Sequence, residues 1–137
     1  RSTLFPYNDA LPISEMKGEM IKTVMEDVAD NLFNPDPYYQ QGGDMVRVGG
    51  LTYAFNPLES MGRRVSDMRL KGELIDPNKT YKVAGWAPVS EEAAKAGNPM
   101  VWDLVEQWLK ARGGKVPARR ANMPRLTGAV PNPGLAG

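Results

Sequence analysis

Short strand-like runs, separated by turns of a few residues, occupy the chain from Met45 to Trp86. The first run ends at Phe55 and is interrupted by Gly49-Gly50, which predicts two strand segments joined by a bulge or bend. The elements predicted after it are strands at 64–70 and 80–86 and turns at 71–73 and 76–79. Because connections of hairpin length join antiparallel neighbours, much of the sheet should be antiparallel.

Apolar side chains at helical spacing predict the first of two helices. From Gly18 onward they recur at i, i+3, i+4, i+7 and i+11, which is one face of an α-helix. These side chains are Ile21, Val24, Met25, Val28 and Leu32. Asn34-Pro35 should end the helix, because the residue before a proline resists the α conformation. The run at 10–16 is predicted to be a short strand that leads into this helix.

A second helix is predicted before the C-terminal tail. Asn98 can cap it, Pro99 fits its first position and Gly113 fits its exit. Its apolar stripe is expected to be core and consists of Val101, Leu104, Val105, Trp108 and Leu109. The order strand, helix, several strands, helix predicts the α+β class, with a mixed, largely antiparallel sheet, two main helices and an extended proline-rich C-terminal tail.

The chain has no histidine and no cysteine. A disulfide framework, a thiolate nucleophile and a Ser-His-Asp triad are therefore excluded, and a zinc or two-metal site would lack its commonest ligand. Glu26, Asp27 and Asp30 lie on the polar side of the first helix and are expected to be solvated there. We therefore expect no catalytic residue, metal or cofactor in this chain.

Membranes and nucleic acid are not expected as partners. No apolar run approaches the roughly 18 residues that a membrane span needs. From Gln107 onward the chain carries six cations and no acidic residue, and a basic tail can bind nucleic acid. The part of this tail after Gly114 is proline-spaced and lacks aromatic side chains for base stacking. We therefore expect it to fold back over its own acidic domain or over a neighbouring one.

The stretch from Asn34 to Asp44 is unusual for a connecting loop, because it carries two adjacent tyrosines and a Gly-Gly pair. Asp44 follows Gly42-Gly43, where a backbone can approach a ligand closely, and it could bind that ligand or cap the turn. Arg47 could clamp an oxyanion or be an exposed strand arginine. Trp86, at the end of the last strand, could line a pocket or fill the core.

Three stretches follow one another in a distinctive order: LFPYNDALPISEMKGEMIKTVMED, GGDMVRVGGLTYAFNP and GRRVSDMRLKGELIDPNKTYKVAG. Together, over residues 4–85, they resemble the C-terminal domain of the 5′-nucleotidase family. The resemblance implies a partner, a larger N-terminal metallophosphoesterase domain that holds a two-metal site and is absent from this chain. It divides the chain into an N-terminally incomplete 5′-nucleotidase-type domain at 1–115 and an extended basic tail at 116–137.

Nucleotidases of this family usually hold the base between two phenylalanines. Here the first of these positions is Met45 and the second loop is replaced by residues 85–99, so most of the base-stacking energy would be lost. Further stretches resemble the SoxB thiosulfohydrolase branch: EDVADNLFNPDPYYQQGGDMVRVGGLTY, YKVAGWAPVSEE, VWDLVEQWL and NMPRLTGAVPNPG. The resemblance implies a periplasmic enzyme of sulfur oxidation. With two manganese ions in its N-terminal domain, such an enzyme releases sulfate from a cysteine S-thiosulfonate on a carrier protein.

In such an enzyme this domain would wall the substrate cleft and admit the carrier's cysteine-bearing swinging arm. The fragment alone should be inactive. From loop position, the residues predicted to line the cleft are Tyr38, Tyr39, Gln40, Gln41, Gly42, Gly43, Asp44 and Arg47, with Trp86 as second choice. Two other functions stay open: the C-terminal domain of a nucleotidase or sugar-nucleotide hydrolase, and a non-catalytic module whose basic tail contacts an acidic partner.

Overall fold

The computed structural model of the chain describes residues 10–85, 97–118 and 122–128. Its helices are α1 (Gly18–Phe33) and α2 (Val101–Ala111), and a 3₁₀ turn covers Pro37–Tyr39. Its strands are β1 (Ile13–Lys17), β2 (Leu51–Phe55), β3 (Val65–Leu70), β4 (Glu73–Leu74), β5 (Thr80–Ala84) and β6 (Arg125–Leu126). The predicted α+β class is confirmed.

The chain divides into two compact units. One unit comprises Arg1–Met16 and Thr80–Arg120, and the other comprises Lys17–Lys79 and Ala121–Gly137. β1 pairs with β5, and a second sheet has the strand order β4-β3-β2-β6. In that second sheet β4, β3 and β2 are antiparallel, while β6 lies parallel to β2. The sheet is therefore mixed and largely antiparallel, as the short connections predicted.

The core of the larger unit lies between α1 and the β2–β3 pair. Its buried side chains are Met25, Ala29, Leu51, Tyr53, Phe55, Val65 and Met68. The rings of Phe33 and Phe55 lie 5.4 Å apart, so the last turn of α1 also contacts β2. The bounds of α1 agree with the prediction: the helix begins at Gly18 and ends directly before Asn34-Pro35.

Two of the carboxylates expected on a solvated helical face are instead part of this interface. Glu26 is buried, and its carboxylate accepts hydrogen bonds from the backbone N–H groups of Gly62, Arg64 and Val65 at 2.9, 3.3 and 2.7 Å. Asp30 accepts a hydrogen bond from the buried Arg64 guanidinium at 2.6 Å. The expectation was wrong for both, because backbone N–H groups at 62–65 and the guanidinium of Arg64 face α1, and hydrogen bonds from them to carboxylates are strong. Asp27 is exposed, as expected.

A β-bulge interrupts the β2–β3 pair. Thr52 pairs with Arg69 and Ala54 with Ser66, so Asp67 and Met68 of β3 together lie opposite Tyr53 of β2. Asp67 has φ +47°, a conformation that costs energy for most residues but is tolerated by aspartate. The bulge explains why Val65 and Met68 are both buried although they are three residues apart.

The predicted strand segment before Gly49-Gly50 does not form. Residues 45–48 pair with no strand within the described ranges 10–85, 97–118 and 122–128, although Met45 and Val48 pack against the core. β3 reaches only as far as Leu70, which pairs with Leu51, and then turns back at Lys71-Gly72. Among the residues that the structure describes, no strand therefore lies beside the segment before Leu51 to hydrogen-bond with it. The predicted bend is present, with Gly50 at φ +82°.

α2 differs from its prediction at the start and agrees at the end. It begins at Val101 with Met100 as N-cap, not at Pro99 with Asn98 as cap. Residues 99 and 100 stay extended because Pro99 and Met100 pair with the segment at Ala10 and Leu11. At the exit the N–H groups of Gly113 and Gly114 bond to the carbonyls of Lys110 and Leu109, which is a Schellman motif.

The apolar stripe of α2 is not fully buried. None of the residues of α2 is buried, and Trp108 is 38% exposed with the Arg112 guanidinium 4.4 Å from its ring centroid. The stripe was predicted to be core, and that prediction was wrong, because its residues are at most half-buried. In the unit that contains α2, the described residues supply only a two-stranded sheet, β1-β5, as regular structure beside the helix.

Candidate substrate-cleft loop

The candidate loop, Asn34–Gly50, begins where α1 ends and leads into β2. Its first residues form a tight turn through their own side chains. Asn34 Oδ1 accepts from the N–H of Asp36 at 3.0 Å, and Asp36 Oδ1 accepts from the N–H of Tyr38 at 2.9 Å. Asp36 thereby caps the 3₁₀ turn, and Pro37 occupies its first position. This alternation of Asn or Asp with proline is the sequence signal for such a turn.

The two tyrosines project from this turn into solvent. Tyr38 is 88% exposed and Tyr39 is 60% exposed. Their rings meet edge to face, with centroids 5.4 Å apart and an interplanar angle of 89°. Large apolar surface in this position does not stabilise the domain by burial. A paired, solvent-facing aromatic surface on a tight turn is instead typical of residues that contact a partner.

The glutamines and glycines continue the loop back along the end of α1. Gln40 Nε2 donates to the carbonyl of Asn34 at 2.7 Å, and the N–H of Gly42 donates to the carbonyl of Asn31 at 3.1 Å. Gly42 and Gly43 have φ of +78° and +104°, which side chains other than glycine adopt only with strain. Gln41 is exposed. The glycines are therefore needed for the path of the loop.

Asp44 and Arg47 form an ion pair with each other. An Arg47 guanidinium N–H donates to Asp44 Oδ2 at 3.1 Å, and both side chains are strongly exposed. An exposed pair of this kind contributes about 0–1 kcal/mol to stability, so its purpose is not to hold the loop. The guanidinium has five N–H donors, and this contact uses one of them. The other donors of Arg47 can face an anionic group.

Trp86 lies outside the described residues, so its predicted place at the cleft stays a prediction. The structure brings the other eight predicted residues together on one loop and at its surface. Two residues that sequence reasoning missed hold the ends of this loop from a distance. Arg64 donates from Nη2 to the carbonyl of Phe33 at 2.9 Å, directly before the loop begins. Asn122 donates to the carbonyl of Val48 at 3.1 Å, directly before the Gly49-Gly50 bend.

Two titratable groups near the loop and the core have shifted pKa values. The hydrogen bond from Arg64, helped by one from Asn34, lowers the pKa of the Asp30 carboxyl below its usual value. Burial in the core raises the pKa of the Tyr53 hydroxyl. The shift of Asp30 therefore follows from its hydrogen bonds, and that of Tyr53 from its burial.

The described parts of the chain hold no cluster of three or more acidic side chains that could bind a metal ion. Within the same residues, no helix is both long and apolar enough to span a membrane. A shallow depression lies beyond the C-terminal end of α2 and includes none of the predicted cleft residues; it is lined by Ala111, Arg112, Lys115, Val116 and Pro117.

Comparison with known proteins places these observations in a family. The model of the 5′-nucleotidase C-terminal domain matches residues 2–92. The solved structure of the sulfate thiohydrolase SoxB from Thermus thermophilus, in complex with glycerol, is 33% identical over 90% of this chain, with a TM-score of 0.75. A putative 5′-nucleotidase from Staphylococcus aureus, in complex with alpha-ketoglutarate, is 16% identical over 91% of this chain, with a TM-score of 0.57, and shares the fold.

The chain spans only a part of these relatives. It covers 23% of the SoxB chain and 28% of the putative nucleotidase chain. A search of curated proteins found no match to this chain.

Proposed function

Since the chain belongs to the family of 5′-nucleotidase C-terminal domains, we propose that it is the substrate-cleft domain of a SoxB-like hydrolase. The observation that carries this proposal is the 33% identity to SoxB across 90% of the chain, at a TM-score of 0.75. The putative nucleotidase shares the same fold at only 16% identity. The similarity to SoxB therefore includes the sequence as well as the fold, whereas the similarity to the putative nucleotidase is one of fold alone.

In the proposed reaction, water cleaves the terminal S–S bond of a cysteine S-thiosulfonate on a carrier protein. The water oxygen bonds to the sulfonate sulfur, and the electron pair of the broken bond goes with a proton to the leaving sulfur. The products are sulfate and a carrier persulfide, with no net oxidation. A dinuclear metal site in an N-terminal metallophosphoesterase domain would activate the water. The working protein would be periplasmic, and its metals are expected to be manganese.

This chain would supply binding and orientation. The exposed faces of Tyr38 and Tyr39 offer apolar contact to a thin peptide arm. The amides of Gln40 and Gln41 add hydrogen-bonding groups beside them. Arg47, which pairs with Asp44 through one guanidinium nitrogen, can donate hydrogen bonds to a sulfonate from its other N–H groups.

The structure of the loop also argues against a nucleotide as substrate. Met45, which takes the place of a base-stacking phenylalanine, is half-buried and packs against the core. It therefore offers no flat face to a base. The nucleotidase function remains the second candidate, because the exposed tyrosine rings could themselves stack on a nucleobase.

Binding measurements on the full-length protein separate the two functions. AMP and a thiosulfonated carrier peptide are titrated separately, and we expect saturable binding of the peptide only. Replacing both tyrosines by alanine (Tyr38→Ala with Tyr39→Ala) should weaken peptide binding about tenfold or more, as expected for central aromatic contacts. Leu58→Ala is the matched control, since Leu58 is a 77% exposed apolar residue on a different turn. Saturable binding of AMP, with none of the peptide, would refute the SoxB-like function.

A further inference from the structure

The segment Asn122–Gly128, which we call the C-terminal strap, lies along the edge of β2. Its strand β6 pairs in parallel, with Arg125 beside Ala54 and Leu126 beside Phe55. The N–H of Thr127 donates to the carbonyl of Phe55 at 2.8 Å. The strap therefore completes the four-stranded sheet of the larger unit.

An ion pair and a close packing contact accompany the register of the strap. Arg125 forms an ion pair of 3.2 Å with Asp67, the bulged residue of β3, which also accepts from Arg69 at 2.8 Å. At the other end, a side chain on Gly128 would collide with the side chain of Asn56, and Gly128 has φ +68°. At Arg125 the expectation that the basic tail folds back over its own acidic domain is confirmed.

The first residue of the strap contacts the candidate loop itself. The Asn122 amide donates through Nδ2 to the carbonyls of Val48 and Leu51. These carbonyls flank the Gly49-Gly50 bend, at which the loop ends and β2 begins. An NH₂ group has two hydrogens, so one side chain can hold both sides of the bend at once.

The entrance of the loop is held in a comparable way. The buried Arg64 side chain donates to the carbonyl of Phe33 at 2.9 Å and to Asp30 at 2.6 Å. Between these two anchors, most of the loop is exposed and its hydrogen bonds are local. At the exit, Met45 and Val48 pack against the core, and the side-chain hydrogen bonds come from Asn122, a residue more than 70 positions away along the chain.

We propose that the C-terminal strap positions the substrate-cleft loop, and that Asn122 is the positioning residue. The inference rests on the proposed function for its effect on substrate. The side chain acts through the backbone at Val48 and Leu51 and need not touch substrate. Its loss should let the loop exit sample other positions, which weakens substrate binding more than the chemical step.

The test uses the full-length protein with the variant Asn122→Asp. Aspartate has nearly the same shape but presents only acceptors to two carbonyl acceptors, so both hydrogen bonds are lost. Thr127→Val is the matched control, because it removes a strap-to-β2 hydrogen bond of 3.3 Å at the far end of the strap. The readouts are kcat and KM for the thiosulfonated carrier peptide, and hydrogen exchange of the amides at 45–52.

With Asn122→Asp we expect exchange at 45–52 to be about tenfold faster and KM to rise about fivefold or more, with kcat within twofold. With Thr127→Val, the exchange rate at 45–52, KM and kcat should all stay near their wild-type values. Faster exchange with an unchanged KM would show that Asn122 only stabilises the fold, and would overturn the positioning role. If the wild-type protein does not act on the peptide, the proposed function fails. Hydrogen exchange alone then tests whether Asn122 anchors the end of the loop. Equal exchange rates at 45–52 in Asn122→Asp and Thr127→Val would refute that role.

Discussion

Replacing Glu26 by alanine should cost a large part of the stability of this domain. The buried carboxylate accepts three backbone N–H groups, from Gly62, Arg64 and Val65. The N–H groups of Arg64 and Val65 are buried, and a buried donor without a partner costs about 1–3 kcal/mol. With the partly exposed third donor, the loss for Glu26→Ala should be about 3–5 kcal/mol. Domains of this size are stable by only about 5–15 kcal/mol in total.

Two further variants show whether the loss comes from these hydrogen bonds. Glu26→Gln keeps the size of the side chain and one acceptor oxygen, but turns an NH₂ group toward the remaining N–H donors. Glu26→Gln should lower the free energy of unfolding by about 2–3 kcal/mol, because some of the backbone N–H donors are left without an acceptor. Asp27→Asn removes a neighbouring negative charge that is exposed on the same helix. Its effect should stay within about 0.5 kcal/mol.

Urea unfolding followed by circular dichroism measures these differences. With a slope near 2 kcal/mol per molar urea, a loss of about 4 kcal/mol lowers the midpoint by about 2 M. The slope should not change, since the same surface is exposed on unfolding. If the midpoint of Glu26→Ala falls no further than that of Asp27→Asn, the carboxylate does not hold the turn before β3, and the account of this interface is wrong.

Three further predictions concern single features of the fold. Gly18→Ala should lower the melting temperature and destabilise the domain by about 1–3 kcal/mol, because the added Cβ would overlap the carbonyl oxygen of Asp76. Helix propensity alone predicts a higher melting temperature, and that result would contradict the close contact. Lys71→Asn should raise the stability measured by thermal unfolding by about 0.5–1 kcal/mol. Lys71 has φ +54° in a two-residue hairpin turn, a position that favours Asn before Gly. If the stability does not increase, Lys71 is not strained in this turn. Because Arg64 lowers the pKa of Asp30 in the folded state, the stability from this pair is complete above about pH 4 and is lost as the pH falls through the lowered pKa. Unfolding curves between pH 2 and 6 should be less pH-dependent for Asp30→Asn, and an unchanged dependence would contradict the pairing.

The features that sequence predicted correctly are local. The bounds of α1 follow from helical spacing and from Asn34-Pro35, and the exit of α2 follows from Gly113. The sequence also indicated the candidate loop, because exposed tyrosines beside a Gly-Gly pair do not suit a core. Each of these depends on residues within a few positions of one another, which a pattern in the sequence can express.

The features that the sequence did not predict depend on partners that lie far away along the chain. Glu26 is polar and lies on a helix, which locally predicts exposure, yet its partners lie 36 to 39 residues away. The strand expected at 45–48 had a suitable pattern, but in the described part of the chain no strand lies beside it, because β3 ends at Leu70. A strand or a buried charge is stable only where another segment supplies the partner, and local pattern does not name that segment.

By itself, the sequence determined the class of the fold, the bounds of α1, the end of α2 and its resemblance to a family. The tertiary structure decided that Asp44 and Arg47 pair with each other, that Glu26 and Arg64 join α1 to the sheet, and that Asn122 holds the end of the loop. The physical reason is the same in each case. Hydrogen bonds and ion pairs are set by which groups meet in space, and burial decides how much each contributes.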